Sequence, residues 1–275
     1  MTRSEPEAES YLARGFRDVD AAAEGKMERC LQHLDSLPDF QRYKALILEL
    51  MNTWAGSVTA DLGCGLGFDV RRLAQLVGAK GKAIGVDSSS KLLASARSAS
   101  EDYPNAEFIQ ADIRELPFAD GLLNSCKVDR VLQHVERPEA VLTEIFRTLS
   151  AGGRVVCAEP DWGTFSIDGG DSTISAQIAR SWMESFQNPR IGHELKGLLK
   201  KTGFIRVEVK ERMLSTAGFE SSDAVFDIAQ SAIRLAAIAQ TKDPREWLMR
   251  AIDGRDSIHC SVTLVINFAQ KPGID

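Results

Sequence analysis

A glycine-rich segment at residues 61–67 is the part of the chain best suited to hold a small ligand. It reads DLGCGLG, in which Asp61 is followed by Gly63, Gly65 and Gly67. Glycines at alternate positions let the backbone turn sharply and approach a ligand that a Cβ atom would keep away. The segment lies between a short apolar run and a helical pattern, and N–H groups at the start of a helix favour an anionic group. We therefore expect a ligand at the end of the first strand.

The acidic residue before the glycines indicates which ligand this is. A dinucleotide-binding loop has the spacing GxGxxG and holds a pyrophosphate at the helix N-terminus. Here the spacing is GxGxG, and the carboxylate of Asp61 would repel a pyrophosphate. The same carboxylate suits an ammonium group that stands beside a carboxylate, as in an amino acid joined to a nucleoside. S-adenosylmethionine is such a molecule.

Two further acidic residues end the next two predicted strands. Asp87 ends the run IGVD, where a carboxylate can accept hydrogen bonds from both ribose hydroxyls. Asp112 ends the run FIQAD, where it can take the adenine amino group while Ile113 covers the ring. The rest of the predicted cofactor-binding set lies in the loop and after the second and fourth strands: Cys64, Ser88 and Asp129.

Methyl transfer from a sulfonium needs a nucleophile held in line, and it needs a general base only if the nucleophile arrives protonated. His134 is the first candidate base, because VLQHV follows the fourth predicted strand. Packing within that loop is the alternative role. Glu159 and Asp161 at the end of the fifth strand could position an amine or deprotonate a carbon acid. They could equally cap the following helix.

The substrate side has a cation and several aromatic residues. Arg130 could bind an anionic substrate group or pair with a neighbouring carboxylate. Aromatic residues at helical spacing often belong to the core, but segments outside the minimal fold must cover something, and a small organic substrate requires a largely apolar pocket. The predicted wall of that pocket contains Tyr11, Phe16, Trp162, Phe165 and Trp182. The His and Cys spacing predicts no metal site.

The elements that position these residues follow from periodicity. From residue 57 onward, short apolar runs alternate with helical patterns, which is typical of βαβ units around a parallel sheet. Two leading helices are expected before this, one over about 7–34 and one from Pro38. Residues 159–171 are expected to form a long loop and residues 222–240 a helical stretch. The seven predicted strands cover 57–62, 82–87, 106–112, 122–128, 153–159, 205–214 and 257–272.

Composition narrows the classes of partner. The chain has 275 residues, 44% of them hydrophobic and 26% charged, which fits one α/β core with helical additions. A net charge of −6 argues against a surface that neutralises phosphates, so we expect no nucleic acid partner. We also expect no membrane segment and no signal peptide, and hence a cytoplasmic location. Whether the chain forms a homodimer is left open.

Several motifs together resemble those of the class I S-adenosylmethionine-dependent methyltransferases. DLGCGLG is similar to their first motif, VDSSSKLL to the second, ADIRELPF to the third, and the segment from DRVLQHV to EPDW to the fourth and fifth. Residues 35–160 resemble the ubiquinone/menaquinone C-methyltransferase-like group of bacterial small-molecule enzymes. The resemblance implies a Rossmann-like, doubly wound sheet of seven strands in the order 3-2-1-4-5-7-6, with the last strand antiparallel.

The expected division of the chain is an N-terminal helical cap over 1–56 and a cofactor-binding core over 57–275. Substrate-covering inserts are expected at about 161–190 and 216–256. The predicted function is transfer of a methyl group from S-adenosylmethionine to an O, N or C nucleophile of a small organic molecule, in secondary metabolism or quinone-like biosynthesis. The alternatives are an RNA or protein methyltransferase of the same fold and a nicotinamide-dependent oxidoreductase.

Overall fold

The computed structural model of the chain describes residues 12–17, 19–21, 25–237 and 243–273. Its strands are β1 (Val58–Leu62), β2 (Lys82–Asp87), β3 (Ala106–Gln110), β4 (Leu123–Asp129), β5 (Leu149–Asp168), β6 (Ile205–Ala217) and β7 (His259–Gln270). Its α-helices are α1 (Leu12–Gly15), α2 (Lys26–Ser36), α3 (Pro38–Met51), α4 (Phe68–Val77), α5 (Ser90–Ser98), α6 (Pro138–Thr148), α7 (Ser172–Met183), α8 (Ile191–Thr202), α9 (Phe219–Phe226), α10 (Ile228–Ala236) and α11 (Pro244–Ile252). Within these described ranges, one 3₁₀ turn covers Leu132–His134.

All seven strands form one sheet in the order β3-β2-β1-β4-β5-β7-β6. The first five strands run parallel to one another, and β7 is antiparallel to both β5 and β6. The predicted fold class is therefore confirmed. The strand order reverses between β1 and β4, and in open α/β sheets ligands bind beyond the carboxyl ends of the strands at such a point.

Two apolar layers hold helices against the two faces of the sheet. On one face α3 and α4 bury residues such as Tyr43, Ile47 and Leu73. On the other face α6 and α8 bury residues such as Leu142 and Leu195. The central strands are buried on both sides, which explains their nearly continuous apolar runs. These layers fix the strand ends that carry the predicted site.

The predicted loop at 159–171 is wrong for most of its length, because β5 continues as a strand to Asp168. A register shift follows Asp161, and the ladder resumes where Ser166 faces Ser261. Local sequence suggested a loop because the segment contains glycine and aspartate, but the long strand β7 supplies the hydrogen-bond partners. The extension carries Trp162 and Phe165 beyond the carboxyl edge of the parallel strands.

Two predicted helices are interrupted. The described part of 7–34 contains α1 and α2 with turns between them, and α2 begins after Gly25, whose φ is 72°. The described part of 222–240 breaks at Asp227, whose φ is 49°. The buried carboxylate of Asp227 accepts hydrogen bonds from Leu12 N at 2.9 Å and from Lys26 Nζ at 2.9 and 3.0 Å. Asp227 thus links the break between α9 and α10 to the first residues of α1 and α2.

Candidate functional site

A cavity of about 450 Å³ lies at the carboxyl edge of the parallel strands. This volume lies within the range of small-molecule sites. The structure brings nine of the ten predicted cofactor-binding residues to its wall: Asp61, Gly63, Cys64, Gly65, Asp87, Ser88, Asp112, Ile113 and Asp129. The tenth, Gly67, begins α4 instead of lining the cavity.

Close packing explains two of the three glycines in the loop. Gly63 has a φ of 79°, and a Cβ atom there would lie 2.3 Å from a methyl carbon of Val131. Gly67 has a φ of 71°, and its Cβ would lie 2.7 Å from the ring of Phe108. Any side chain at either position would be strained and would collide with a neighbour. The loop therefore folds flat against the ends of the sheet and leaves room for a ligand above it.

Asp87 joins the glycine loop to the start of α5. Its Oδ2 accepts a hydrogen bond from Gly65 N at 2.8 Å, and its Oδ1 accepts one from Ser89 N at 2.9 Å. Burial raises the pKa of Asp87. Each carboxylate oxygen has a second lone pair, so the group can still accept hydrogen bonds from a ligand. This position at the end of β2 matches the predicted ribose-binding role.

Asp112 lies two residues beyond the end of β3 and faces Arg114. The guanidinium of Arg114 donates to both carboxylate oxygens, with Nη2 2.6 Å from Oδ2 and Nε 3.0 Å from Oδ1. This pairing holds the pKa of Asp112 below its usual range. Its predicted contact with an adenine amino group stays a prediction.

Beneath the cavity lies a buried network of two lysines and three aspartates. Lys127 Nζ in β4 lies 3.1 Å from Asp61, 2.7 Å from Asp69 and 3.7 Å from Asp129. Lys44 Nζ in α3 lies 2.5 Å from Asp69 and 3.3 Å from Asp129. Burial of a charge is costly unless it is paired, so these groups fix one another's positions. All five line the cavity.

A second, smaller chamber of about 50 Å³ adjoins the first and has mostly apolar walls. Trp162 and Trp182 line it as predicted, together with Phe186 and Phe226. The ring of Trp162 stacks on that of Phe186 with centroids 4.5 Å apart. Phe165 does not line the chamber; it packs behind the wall against Phe226, at 4.7 Å. We call this space the aromatic chamber.

Four residues line both cavities and form the seam between them: Phe16, Arg130, Gln133 and His134. The His134 ring lies between Phe16 and Phe186, at 5.9 and 5.4 Å. Its Nδ1 atom is buried and has no hydrogen-bond partner within the described residues. Burial, followed by the charges of Arg17 and Arg130, lowers the pKa of His134 to about 3. The imidazole is therefore neutral at physiological pH.

The predicted catalytic carboxylates Glu159 and Asp161 line neither cavity. Glu159 turns under the 3₁₀ turn and accepts hydrogen bonds from Val131 N at 2.8 Å and Leu132 N at 2.6 Å. Asp161 accepts one from Gly163 N at 2.9 Å and lies 3.2 Å from His193 Nδ1. The geometry gives Glu159 a role in shaping the backbone that carries the seam, whereas Asp161 contacts the extension of β5 and the start of α8.

A segment near the N-terminus covers the cavity. Arg17 and Val19 contribute to its wall. Asp20 accepts hydrogen bonds from Ser89 Oγ at 2.5 Å and Ser90 N at 2.9 Å, at the start of α5. We call residues 12–17 and 19–21 the strap. Tyr11, predicted to line the substrate pocket, lies outside the described residues.

Comparison with known proteins identifies the architecture around this site. Residues 55–208 match a family model described as a methyltransferase domain. The chain belongs to this methyltransferase family. The first motif lies within the matched region, as do four of the five network residues and three of the four seam residues; Lys44 and Phe16 lie before it. The predicted family, and S-adenosylmethionine as its cofactor, are confirmed.

Individual relatives agree with this assignment. An uncharacterized 37.1 kDa protein in transposon TN4556 of Streptomyces fradiae is 35% identical over 201 residues, which are 73% of this chain and 58% of that protein. A demethylmenaquinone methyltransferase of Oceanobacillus iheyensis is 28% identical over 197 residues, 64% of this chain and 83% of that protein. The methyltransferase therefore spans a little over half the length of its Streptomyces relative.

The fold also matches a solved structure. Phosphoethanolamine N-methyltransferase 2 of Haemonchus contortus, in complex with S-adenosyl-L-methionine, aligns with a TM-score of 0.60 and 17% identity. The alignment covers 94% of this chain and 60% of that chain. At 17% identity the match shows a similar fold and nothing more.

Sequence reasoning missed several residues that build the site of this methyltransferase. Lys127 gave a signal, because a lysine inside the apolar strand LNSCKVD must be paired if it is buried. Lys44, Asp69 and Asp20 gave none, since each looks like an ordinary helix or turn residue. Among the described residues, no cluster of three His, Cys, Asp or Glu could hold a metal ion, and no helix could cross a membrane.

Proposed function

We propose that the protein transfers the methyl group of S-adenosylmethionine to a small, largely apolar organic molecule. The observation that carries this proposal is the junction of the two cavities. A cavity lined by the glycine loop and strand-end carboxylates adjoins the aromatic chamber, and the two share Phe16, Arg130, Gln133 and His134 in their walls. A methyl group presented from one side can reach an acceptor held on the other.

The residues of the larger cavity suit the parts of the cofactor. Asp87 would accept hydrogen bonds from the ribose hydroxyls, and Asp112 with Ile113 would border the adenine. The methionine end carries an ammonium and a carboxylate. Asp61 and Asp129 offer acidic partners for the first, and Lys127 offers a basic partner for the second. Bound S-adenosylmethionine would supply the activated methyl group.

The chain's contribution to chemistry is then orientation in a dry pocket. With S-adenosylmethionine bound, the acceptor atom would be held in line with the methyl carbon, so that it could bond to that carbon as the carbon–sulfur bond leaves its electron pair on sulfur. Alignment of two reactants can lower a barrier by up to about 7–11 kcal/mol. His134 faces this junction as a neutral imidazole that can accept a hydrogen bond, but its low pKa makes it a weak base. We therefore favour orientation by His134 over full proton abstraction.

The class of acceptor and the biosynthetic role are also proposals. The name of the Oceanobacillus relative supports quinone-like compounds as a class of acceptor to test first, in a biosynthetic role. A cavity enclosed by the strap and an acidic chain favour a small molecule over nucleic acid as the substrate. A cytoplasmic location and a homodimeric assembly stay predictions.

Calorimetric titration with S-adenosylmethionine and S-adenosylhomocysteine tests the proposal. Binding by the wild type is expected, and Asp87→Ala should weaken it by about tenfold or more, since hydrogen bonds to a charged group are worth about 1.5–3 kcal/mol. Asp102→Ala removes an exposed carboxylate away from the cavity and serves as the matched control. Absence of binding by the wild type, or equal binding by Asp87→Ala, would contradict the proposal.

A further inference from the structure

The seam contains two polar groups that the protein leaves unused. Both ends of the Gln133 side-chain amide are engaged, since its Oε1 accepts from Trp162 Nε1 at 2.7 Å and its Nε2 donates to Arg130 O at 3.0 Å. Within the described residues, His134 Nδ1 has no hydrogen-bond partner. Within the described chain, Arg130 makes one hydrogen bond through its guanidinium, from Nε. Its two Nη atoms are left with four N–H donors and no acceptor.

The Arg130 guanidinium is held firmly in this position. Its backbone has a φ of 59°, which a residue other than glycine seldom adopts, and Arg130 N donates to Ala158 O at 2.8 Å. The Arg130 side chain is only 17% exposed, and its Cζ lies 5.3 Å from the centre of the Phe40 ring. Backbone strain of this kind is maintained only where the surroundings fix it. The cation is therefore preorganised at the seam.

Among the described residues, one carboxylate pairs with Arg130, and it is shared with other cations. Asp129 Oδ1 lies 3.4 Å from Arg130 Nε, a long hydrogen bond. The other oxygen of Asp129 faces Lys44 at 3.3 Å and Lys127 at 3.7 Å. Arg17 also contributes to the wall of the larger cavity. A largely buried cation with unused donors calls for an anionic partner, and a guanidinium pairs best with two oxygens in a plane.

The aromatic chamber limits the size and the polarity of the rest of the ligand. Its walls present Trp162, Trp182 and Phe186, which favour an apolar group. Its volume of about 50 Å³ is well below the ~150 Å³ of an apolar cavity that holds benzene, so one ring must extend into the seam. A ligand that fits both spaces has an apolar body of one ring or a short branched chain and a polar head next to Arg130.

We propose that the methyl acceptor is a small organic oxyanion of this size, bound through its anionic group by the two Nη atoms of Arg130. This inference rests on the proposed methyltransferase function. An acceptor that binds as an anion lies next to a cationic sulfonium and is attracted to it in a site of low dielectric constant. It also has no proton to lose before attack, in agreement with the weak basicity of His134. Arg130 is then the residue that selects the acceptor.

Benzoate and benzamide test the inference, because they have nearly the same shape and differ in charge. Titrations are made with the full chain, with and without saturating S-adenosylhomocysteine. The wild type should bind benzoate about tenfold or more tightly than benzamide, equivalent to one charge-assisted hydrogen bond. Arg130→Gln should remove this preference and Arg130→Lys should keep part of it. Arg180→Gln, which removes an exposed cation on the outside of α7, should keep all of it.

The outcomes separate this inference from the proposed function. Equal affinity for the two probes, or no benzoate binding at millimolar concentration, overturns the role of Arg130 while S-adenosylhomocysteine binding still supports the function. Failure to bind S-adenosylhomocysteine overturns the function instead. If Arg130→Gln does not fold, the affinities of the wild type and of Arg130→Lys for benzoate and benzamide still test the role of Arg130.

Discussion

The charge of Lys127 lies in the middle of the sheet, where 2% of the residue is exposed. Three aspartates surround its ammonium group, and their environments differ. Burial raises the pKa of Asp61. Burial acts on Asp69 in the same direction, but the charges of Lys127 and Lys44 outweigh it and hold that pKa well below its usual range. Asp69 therefore stays ionised, whereas the ionised form of Asp61, which also lines the cavity, is less strongly favoured.

His134 provides a prediction at the same scale. Its pKa is about 3 in the folded protein and about 6.5 in the unfolded chain, so the unfolded state binds a proton first as the pH falls. His134 therefore lowers the free energy of unfolding as the pH falls from about 6.5 to about 3, by at most about 1.4 kcal/mol per pH unit. Its stabilising contribution is complete above pH 6.5.

Urea unfolding of the wild type and His134→Asn across this pH range measures the effect. Glu159 has a pKa raised to about 8 and has the opposite pH dependence, so the informative quantity is the difference between the two proteins. The difference in free energy of unfolding between the two proteins should narrow as the pH falls. The reason is that only the wild type loses the stability that the neutral His134 imidazole provides. A difference that stays constant between pH 6.5 and 4 would show that the imidazole titrates normally.

At the scale of elements, the 3₁₀ turn at Leu132–His134 connects the sheet to the seam. The carboxylate of Glu159 holds the N–H groups at its start. The side chain of Asn188 donates to Leu132 O at 2.8 Å and Val135 O at 2.6 Å. Strand β5, the loop after α7 and the turn are thereby joined. This explains how Arg130 can adopt its left-handed conformation between them.

The strap is the other element that controls the site. Hydrogen bonds from Ser89 and Ser90 hold the pKa of Asp20 at about 2, so the tether is present above about pH 4 and is lost as the pH falls toward 2. We expect Asp20→Ala to speed dissociation of S-adenosylhomocysteine by about fivefold, since one net hydrogen bond is worth about 1 kcal/mol. Stopped-flow measurement of the dissociation rate checks this.

Asp102→Ala is again the control, because Asp102 is exposed and contacts neither the strap nor the cavity wall. It should dissociate at the wild-type rate. If Asp20→Ala also dissociates at that rate, the strap does not limit the exit of the ligand.

At the scale of the whole molecule, the candidate site joins elements from most of the chain. The strap, α3, the ends of four parallel strands and the extension of β5 all contribute to its walls. A ligand that binds only this assembled state must stabilise it, by about 2.7 kcal/mol when its concentration is about 100 times the Kd. Domains of this size gain about 2–4 °C in Tm per kcal/mol.

Thermal unfolding with added ligands therefore provides a test that needs no substrate. S-adenosylhomocysteine should raise the Tm by several degrees, whereas NAD at the same concentration should leave it unchanged, because the GxGxG loop and Asp61 disfavour a pyrophosphate. A rise in Tm with NAD alone would favour the oxidoreductase alternative.

The order of strands and the wall of the cofactor cavity could be predicted from the sequence. Parallel strands end at one edge of a sheet, so residues that follow them, such as Asp87 and Asp129, come together whatever the details of packing. The glycine loop could be predicted from residue type, because glycine readily adopts positive φ and lets the backbone approach its neighbours closely. The helix break at Asp227 and the strand end at Asp168 could not be predicted, because residues far along the chain supply the hydrogen-bond partners there.

Sequence by itself thus determined the sheet, the glycine loop and the class of ligand, because each depends on residue type, spacing or chain order. Only the tertiary structure decided where the polar side chains point. It turned Glu159 toward a backbone turn, paired Lys44 with Lys127 through shared aspartates, and left the Nη atoms of Arg130 open at the seam. The direction of a buried charge depends on the free energy of all the groups around it, and those groups come from elements far apart in the chain.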